Sequence, residues 1–357
     1  MTVRIIHCAD LHLDSRMTAH LDKKRAYERN IELLQTFNRM VEYADSNDVE
    51  AILISGDLFD TPVPAEFIRD TVLDGVREHP DILFFYLKGN HDEDNVFPGD
   101  IPVNLKMFND KWRSYSMGDV VITGLELNEK NDNIASHYLV LDKEKFNILM
   151  LHGDENYNHI KMDDYREKNI DYMALGHIHA FKKGIIDDRG VYCYPGCLEG
   201  RGFDECGEHG FVLIDIDEER RTFSMEFIPV AKRRMYQVSP DVSECTSDNE
   251  ILHLLDRELA DCGAGFNDYI KVVLKGNISS DRSINTLYIT DYLQEKYEYA
   301  KVYDETDTLH DDYAYDESIS LKGEFVRLVK NSDETEEDKA AILKMGISVI
   351  TKGVISR

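Results

Sequence analysis

Five short apolar segments of the sequence are each followed at once by Asp, Asn or His side chains. Such segments, rich in branched and aromatic residues, are typical of buried β-strands. The polar groups after them are Asp10 and His12, Asp57 and Asp60, Asn90 with His91 and Asp92, His152, and His177 with His179. Because ligand sites in α/β proteins lie beyond the carboxyl ends of strands, the sequence predicts that these groups form one cluster.

The residue types in this cluster point to metal ions. Asp10/His12 and His177/His179 are two residues apart, so in extended backbone each pair faces one side. Oxygen and nitrogen donors without thiolate suit Mn, Fe or Zn. Seven such ligands with one shared carboxylate would make two adjacent metal positions, an arrangement that fits phosphoester hydrolysis. Each motif by itself could also be a chance occurrence, a turn or a pair of surface residues. Only the five in this order, each after an apolar strand, favour a metal centre.

Composition limits the classes of function. The formal net charge of −28 excludes a globally basic nucleic-acid binder, although metal ions or a local basic groove could still bind phosphate. The six cysteines form no C-x-x-C pair and are expected to be reduced thiols. Because no apolar run approaches the roughly 20 residues of a membrane helix and residues 1–14 do not resemble a signal peptide, we expect a cytoplasmic protein without membrane contact.

The periodicity predicts three parts along the chain. Residues 1–232 alternate strands and helices, with a helix at 23–46 and strands that include 137–141. This pattern favours a layered α/β sandwich. Residues 233–318 predict a small α/β cap with a solvated acidic stretch at 304–317, and residues 319–357 a C-terminal helical segment.

The five motifs, "DLH", "GDLFD", "GNHD", "HG" and "GHIH", together resemble the calcineurin-like metallophosphoesterase superfamily. The resemblance implies an αββα sandwich with two divalent metal ions, Mn most of all, with Fe, Zn or Mg as alternatives. It implies that His91 protonates the leaving oxygen and that Asp60 orients His91. We interpret Asp92 as a structural residue. The implied metal ligands are Asp10, His12, Asp57 and His179 for the first ion, and Asp57, Asn90, His152 and His177 for the second.

A narrower resemblance concerns residues 194–217, "YPGCLEGRGFDECGEHGFVLIDID", and the small cap, which look like those of SbcD-type DNA-repair nucleases. It implies manganese-dependent exonuclease or endonuclease activity on DNA, a DNA-binding cap, an SbcC-type coiled-coil ATPase partner bound by the C-terminal segment, and a homodimer. Arg201 is a candidate phosphate contact. Two alternatives stay open: a phosphodiesterase for small-molecule or cyclic-nucleotide esters, and a scaffold that binds DNA or the ATPase without cutting.

Overall fold

The computed structural model describes residues 2–17, 21–92, 97–158, 160–279, 282–309 and 320–352. The chain forms two compact units, Met1–Tyr236 with Asn267–Tyr269, and Gln237–Phe266 with the residues from Ile270 onward. Most of the acidic stretch 304–317 lies outside the described residues. The functions that the sequence suggests for 1–232, 233–318 and 319–357 stay predictions.

Two six-stranded sheets form the body of the first unit. The first sheet has the strand order β12-β11-β1-β2-β3-β4, in which β1 to β4 run parallel. Its strands are β1 (Thr2–Cys8), β2 (Ala51–Ser55), β3 (Leu83–Leu87), β4 (Leu105–Met107), β11 (Gly210–Asp217) and β12 (Thr222–Pro229).

The second sheet has the order β5-β6-β7-β8-β10-β9, with β6, β7, β8 and β10 parallel. Its strands are β5 (Arg113–Met117), β6 (Val120–Gly124), β7 (Phe146–His152), β8 (Tyr172–Gly176), β9 (Lys182–Ile185) and β10 (Val191–Tyr194). The edge strands β5 and β9 are polar and largely exposed, so no apolar run in the sequence predicts them.

The first unit has four layers in the order helices, sheet, sheet and helix. Helices α1 (Lys23–Ser46) and α2 (Glu66–Glu78) cover the outer face of the first sheet through one apolar core. A second core, which includes Phe85 and Ile148, fills the space between the sheets. A third lies outside the second sheet under the short helix α3 (Ala135–Tyr138). The predicted αββα sandwich is therefore confirmed.

The predicted strand at 137–141 is wrong. Residues Ala135–Tyr138 form one helical turn, and the chain then continues without a strand partner. Leu139 and Leu141 are buried whereas Val140 is 89% exposed. This alternation imitates the period of a strand, but it arises from a loop that lies over the outer core.

The second unit contains helices and most residues of a small sheet. The sheet has the order β13-β14-β16, and β15 pairs with β17. The helices α6 and α7 pack together around Val326, Val329 and Leu343. The elements are β13 (Met235–Val238), α4 (Asp248–Asp261), β14 (Tyr269–Leu274), β15 (Asn277–Ser279), α5 (Thr286–Gln294), β16 (Tyr299–Asp304), β17 (Asp307–Leu309), α6 (Leu321–Lys330) and α7 (Glu336–Lys352).

No helix among the described residues combines the length and the apolar character that crossing a bilayer requires.

Candidate metal centre

The carboxyl ends of five parallel strands, β1, β2, β3, β7 and β8, carry the predicted site residues. The first three strands are neighbours in one sheet and the last two in the other. The structure brings the predicted side chains from both sheets together at this edge. Those at the bottom of the site are buried, namely Asp10, His12, Asp57 and His152, whereas Asn90, His91, His177 and His179 are at least partly accessible.

Four of these residues have backbone in the left-handed region. The φ angles are 53° at Asp10, 46° at His12, 50° at Asp57 and 101° at His177. Such conformations cost about 1–3 kcal/mol each for residues other than glycine and concentrate at functional sites. Hydrogen bonds hold them here, because the amide of His12 donates to the Asp57 carbonyl at 2.9 Å and the Asp10 carboxylate accepts from the His177 amide.

The donors proposed for the first ion surround one point. Ligand atoms of Asp10, His12 and His179 lie within 4.8 Å of one another. The Nε2 atoms of His12 and His179 are 3.1 Å apart, and His12 Nε2 lies 3.7 Å from Asp57 Oδ2. Each of these three atoms can offer a lone pair to a cation.

The donors proposed for the second ion lie on the other side of Asp57. His152 Nε2 is 3.5 Å from Asp57 Oδ2 and 3.0 Å from Asn90 Oδ1. His177 Nδ1 lies 3.3 Å from the same Asn90 oxygen. Asp57 Oδ2 therefore faces histidines of both groups, as a carboxylate shared by two ions must.

Hydrogen bonding shows that this cluster suits cations. His152 Nδ1 lies 2.9 Å from the Ser55 carbonyl, which can only accept, so the ring proton is on Nδ1 and the lone pair of Nε2 points at Asn90 Oδ1 and Asp57. Burial lowers the pKa of His152 to about 4, so its ring is neutral. A neutral imidazole whose Nε2 lone pair faces two oxygen acceptors matches the chemistry of divalent-metal ligands.

His91 lies at the rim of the site beside Asp60. Its amide donates to Asp57 Oδ1 at 2.9 Å, and 44% of its side chain is exposed. Asp60 Oδ1 lies 3.8 Å from His91 Nδ1 but only 2.9 Å from His12 Nδ1. Asp60 can therefore orient His12 as well as His91, and His12 is the closer of the two.

Arg201 also reaches this region of the site. Its guanidinium donates to Asp60 Oδ1 at 3.0 Å and to Glu205 Oε1 at 2.7 Å, and 17% of its side chain is exposed. Glu205 was missed by the sequence analysis. Its Oε1 lies 2.7 Å from His179 Nδ1. The only sequence signal for it is an acid within the glycine-rich segment at 196–210.

Asp92 has a structural environment. Its carboxylate accepts from the amides of Leu58, Phe59 and Gly89 at 3.0–3.2 Å. Asp92 thereby joins the loop that carries Asp57 to the loop that carries Asn90. Burial raises its pKa to about 6.

Comparison with known proteins identifies the family. Residues 3–181 match the calcineurin-like phosphoesterases. The chain belongs to this family. Its membership confirms the resemblance seen in the five motifs and makes the chain one of the metallophosphoesterases, hydrolases that use divalent metal ions.

Three relatives illustrate where this metallophosphoesterase lies within the family. It is 28% identical to the uncharacterized metallophosphoesterase YhaO of Bacillus subtilis, over 59% of this chain and 57% of the relative. Two others are named DNA double-strand break repair protein Mre11. The Aeropyrum pernix protein is 24% identical over 79% of this chain and 74% of its own length. The Sulfurisphaera tokodaii protein is 26% identical over 64% of each.

Proposed function

We propose that the chain is a two-metal phosphodiesterase that cuts DNA in repair, like the SbcD-type nucleases that its sequence resembles. Asp10, His12, Asp57 and His179 would hold one ion, and Asp57, Asn90, His152 and His177 the other. The observation that carries the proposal is the set of nitrogen and oxygen donors that meets around Asp57 Oδ2. When bound, divalent ions supply positive charge for the phosphate oxygens and acidify the attacking water.

The chain's own residues supply orientation and a proton. The amide of His91 donates to Asp57 Oδ1, which fixes His91 relative to the carboxylate shared by the two ions. Its ring is accessible at the rim, and from there it would donate a proton to the leaving oxygen. Asp60 Oδ1 lies 3.8 Å from His91 Nδ1 and would orient the ring for this role.

Two observations support DNA as the substrate. The relatives from Aeropyrum pernix and Sulfurisphaera tokodaii carry the name of a DNA double-strand break repair protein. Phe181, Lys182 and Lys183 follow His179 closely and are exposed. They offer an aromatic ring and two cations of the kind that contact bases and phosphates. The basic residues 232–234 are engaged in ion pairs instead. Lys232 and Arg233 pair with Glu32, and Arg234 pairs with Glu208.

A phosphodiesterase for small-molecule or cyclic-nucleotide esters is the second candidate. The net charge of −28 favours it, because a strongly acidic chain repels polyanionic DNA beyond its local cations. The metal centre would serve either substrate, so the substrate class is decided outside the ligand set.

The proposed function also includes two binding partners, an SbcC-type ATPase and a second copy of this chain. The exposed Leu321 and Leu328 of α6 and Met345 of α7 support a contact of the C-terminal helices with an SbcC-type ATPase. A homodimer is proposed on the resemblance alone.

One assay separates the candidate functions. The purified chain is incubated with Mn²⁺ and end-labelled single- and double-stranded DNA, and in parallel with bis(p-nitrophenyl) phosphate. We expect both to be cleaved. Cleavage of the small ester alone would favour the second candidate, and binding of metal without any hydrolysis would favour the scaffold. Repeating the assay with Mg²⁺, Zn²⁺ and Fe²⁺ tests the choice of manganese.

A further inference from the structure

The outer nitrogens of the two first-ion histidines face carboxylates. His179 Nδ1 lies 2.7 Å from Glu205 Oε1, and His12 Nδ1 lies 2.9 Å from Asp60 Oδ1. His179 Nδ1 is also 3.0 Å from Arg201 Nη2, but its shorter contact is with the carboxylate. Because a carboxylate only accepts, the hydrogen bond with Glu205 places the ring proton of His179 on Nδ1 and leaves its Nε2 lone pair for the ion.

Arg201 joins the two carboxylates. One guanidinium nitrogen donates to Asp60 and another to Glu205, at 3.0 Å and 2.7 Å. Arg201 thus fixes both carboxylates behind the histidines and places a positive charge between them.

The glycine-rich segment at 196–210 is built around Glu205. The amide of Arg201 donates to Glu205 Oε2 at 2.7 Å, and the Cys197 thiol reaches the same oxygen at 3.7 Å. His209 Nε2 donates to the Glu205 carbonyl at 2.9 Å. At Gly200 a Cβ atom would lie 2.8 Å from that carbonyl oxygen, so a side chain there would displace it. Glu205 is only 8% exposed.

The histidines of the second ion have neutral neighbours instead. His152 Nδ1 contacts the Ser55 carbonyl at 2.9 Å. The ring of His177 stacks on Tyr157, with centroids 4.8 Å apart and planes at 23°. A histidine that donates to a carboxylate is a stronger metal ligand than one that donates to a neutral oxygen. The two ligand groups therefore differ in the charge behind them.

We propose that Glu205, together with Asp60 and Arg201, makes the first metal position the tighter of the two, so that ions load there before the second position. Glu205 is then a positioning residue that acts through His179. This inference rests on the ligand sets of the proposed function, and it adds an order of loading and the residue that sets it.

Calorimetric titration of the metal-free full-length chain with Mn²⁺ tests the order of loading. The wild type should bind two ions in a tight and a weak step. Glu205→Gln should weaken the tight step about ten- to hundredfold and leave the weak step within about twofold. Glu208→Gln removes a charge from the same segment, where Glu208 pairs with Arg234, and should change neither step.

Electron paramagnetic resonance adds a readout that a general loss of structure would not produce. With one equivalent of Mn²⁺ the wild type should show isolated ions. Glu205→Gln, with two steps of similar affinity, should show spin-coupled pairs at the same ratio.

The outcomes separate the inference from the proposed function. A wild type that binds fewer than two ions would overturn the two-metal centre itself. The role of Glu205 would be overturned if the wild type binds Mn²⁺ in two steps and Glu205→Gln leaves the tight step unchanged. It would also be overturned if Glu205→Gln loses only the weak step. If Glu205→Gln does not fold, Arg201→Lys is the second test variant. Lysine keeps the positive charge but loses the pair of guanidinium nitrogens that donate to Asp60 and Glu205. It should weaken the tight step, and an unchanged step would refute the inference.

Discussion

Gly176 lies where the ends of the two sheets meet beside the metal centre. It is the last residue of β8 and faces the end of β2. A Cβ atom at this position would lie 1.9 Å from the Ser55 carbonyl oxygen and 2.8 Å from His152 Nδ1. Because Cβ atoms essentially never come within 3.0 Å of another heavy atom, Gly176→Ala must push the two strand ends apart by about 1 Å.

The expected cost has a stability part and a catalytic part. Overpacking a tightly packed site costs about 1–3 kcal/mol of unfolding free energy. The Ser55 carbonyl also accepts the hydrogen bond from His152 Nδ1, and His177 is the residue after Gly176. A displacement of about 1 Å in such groups can reduce the rate about 100-fold, and we expect Mn²⁺ affinity to fall with it.

Denaturant unfolding, Mn²⁺ titration and bis(p-nitrophenyl) phosphate hydrolysis measure the three effects. Gly75→Ala is the matched control, because its Cβ would meet the Phe37 ring at an ordinary 3.4 Å and alanine favours a helix by about 1 kcal/mol over glycine. The control should be as stable as the wild type or more so. A Gly176→Ala chain with unchanged stability, metal affinity and turnover would show that the sheets do not meet as described.

Three further predictions follow from single groups. His91→Ala should lower kcat on bis(p-nitrophenyl) phosphate about 10²–10⁴-fold with unchanged Mn²⁺ binding, and loss of metal binding would make His91 a ligand instead. Burial lowers the pKa of His7 from 6.5 to about 3. Below pH 6.5 the unfolded chain therefore takes up a proton on His7 whereas the folded chain does not. The unfolding free energy falls by about 1.4 kcal/mol for each pH unit between pH 6.5 and about 3. In chelated protein, His7→Phe should flatten the dependence of unfolding free energy on pH in that window, and an unchanged slope would contradict the burial of His7. Mn²⁺ at about 100 times its Kd should stabilise the chelated protein by about 2.7 kcal/mol, measured as a rise in Tm, and an unchanged Tm would argue against a site formed by the folded chain.

The helix at 23–46 and the five site-bearing strands could be predicted from the sequence. Apolar residues at helical spacing mark the face of α1 that packs on the first sheet. Continuous apolar runs mark strands such as β2 and β7, which are buried along their whole length. The edge strand β9 is exposed, so no apolar run predicts it. Residues 139–141 alternate between buried and exposed positions as a strand does but belong to a loop, so the sequence pattern wrongly predicts a strand there.

The sequence by itself determined which residue types stand at each strand end, and hence that oxygen and nitrogen donors would meet in a metallophosphoesterase. Those motifs are local, because a strand and the turn after it are written in consecutive residues. Only the tertiary structure decided that Glu205 backs His179 and that Asp60 lies closer to His12 than to His91. Such contacts join residues far apart in the chain, and their geometry depends on how the sheets and the glycine-rich segment pack.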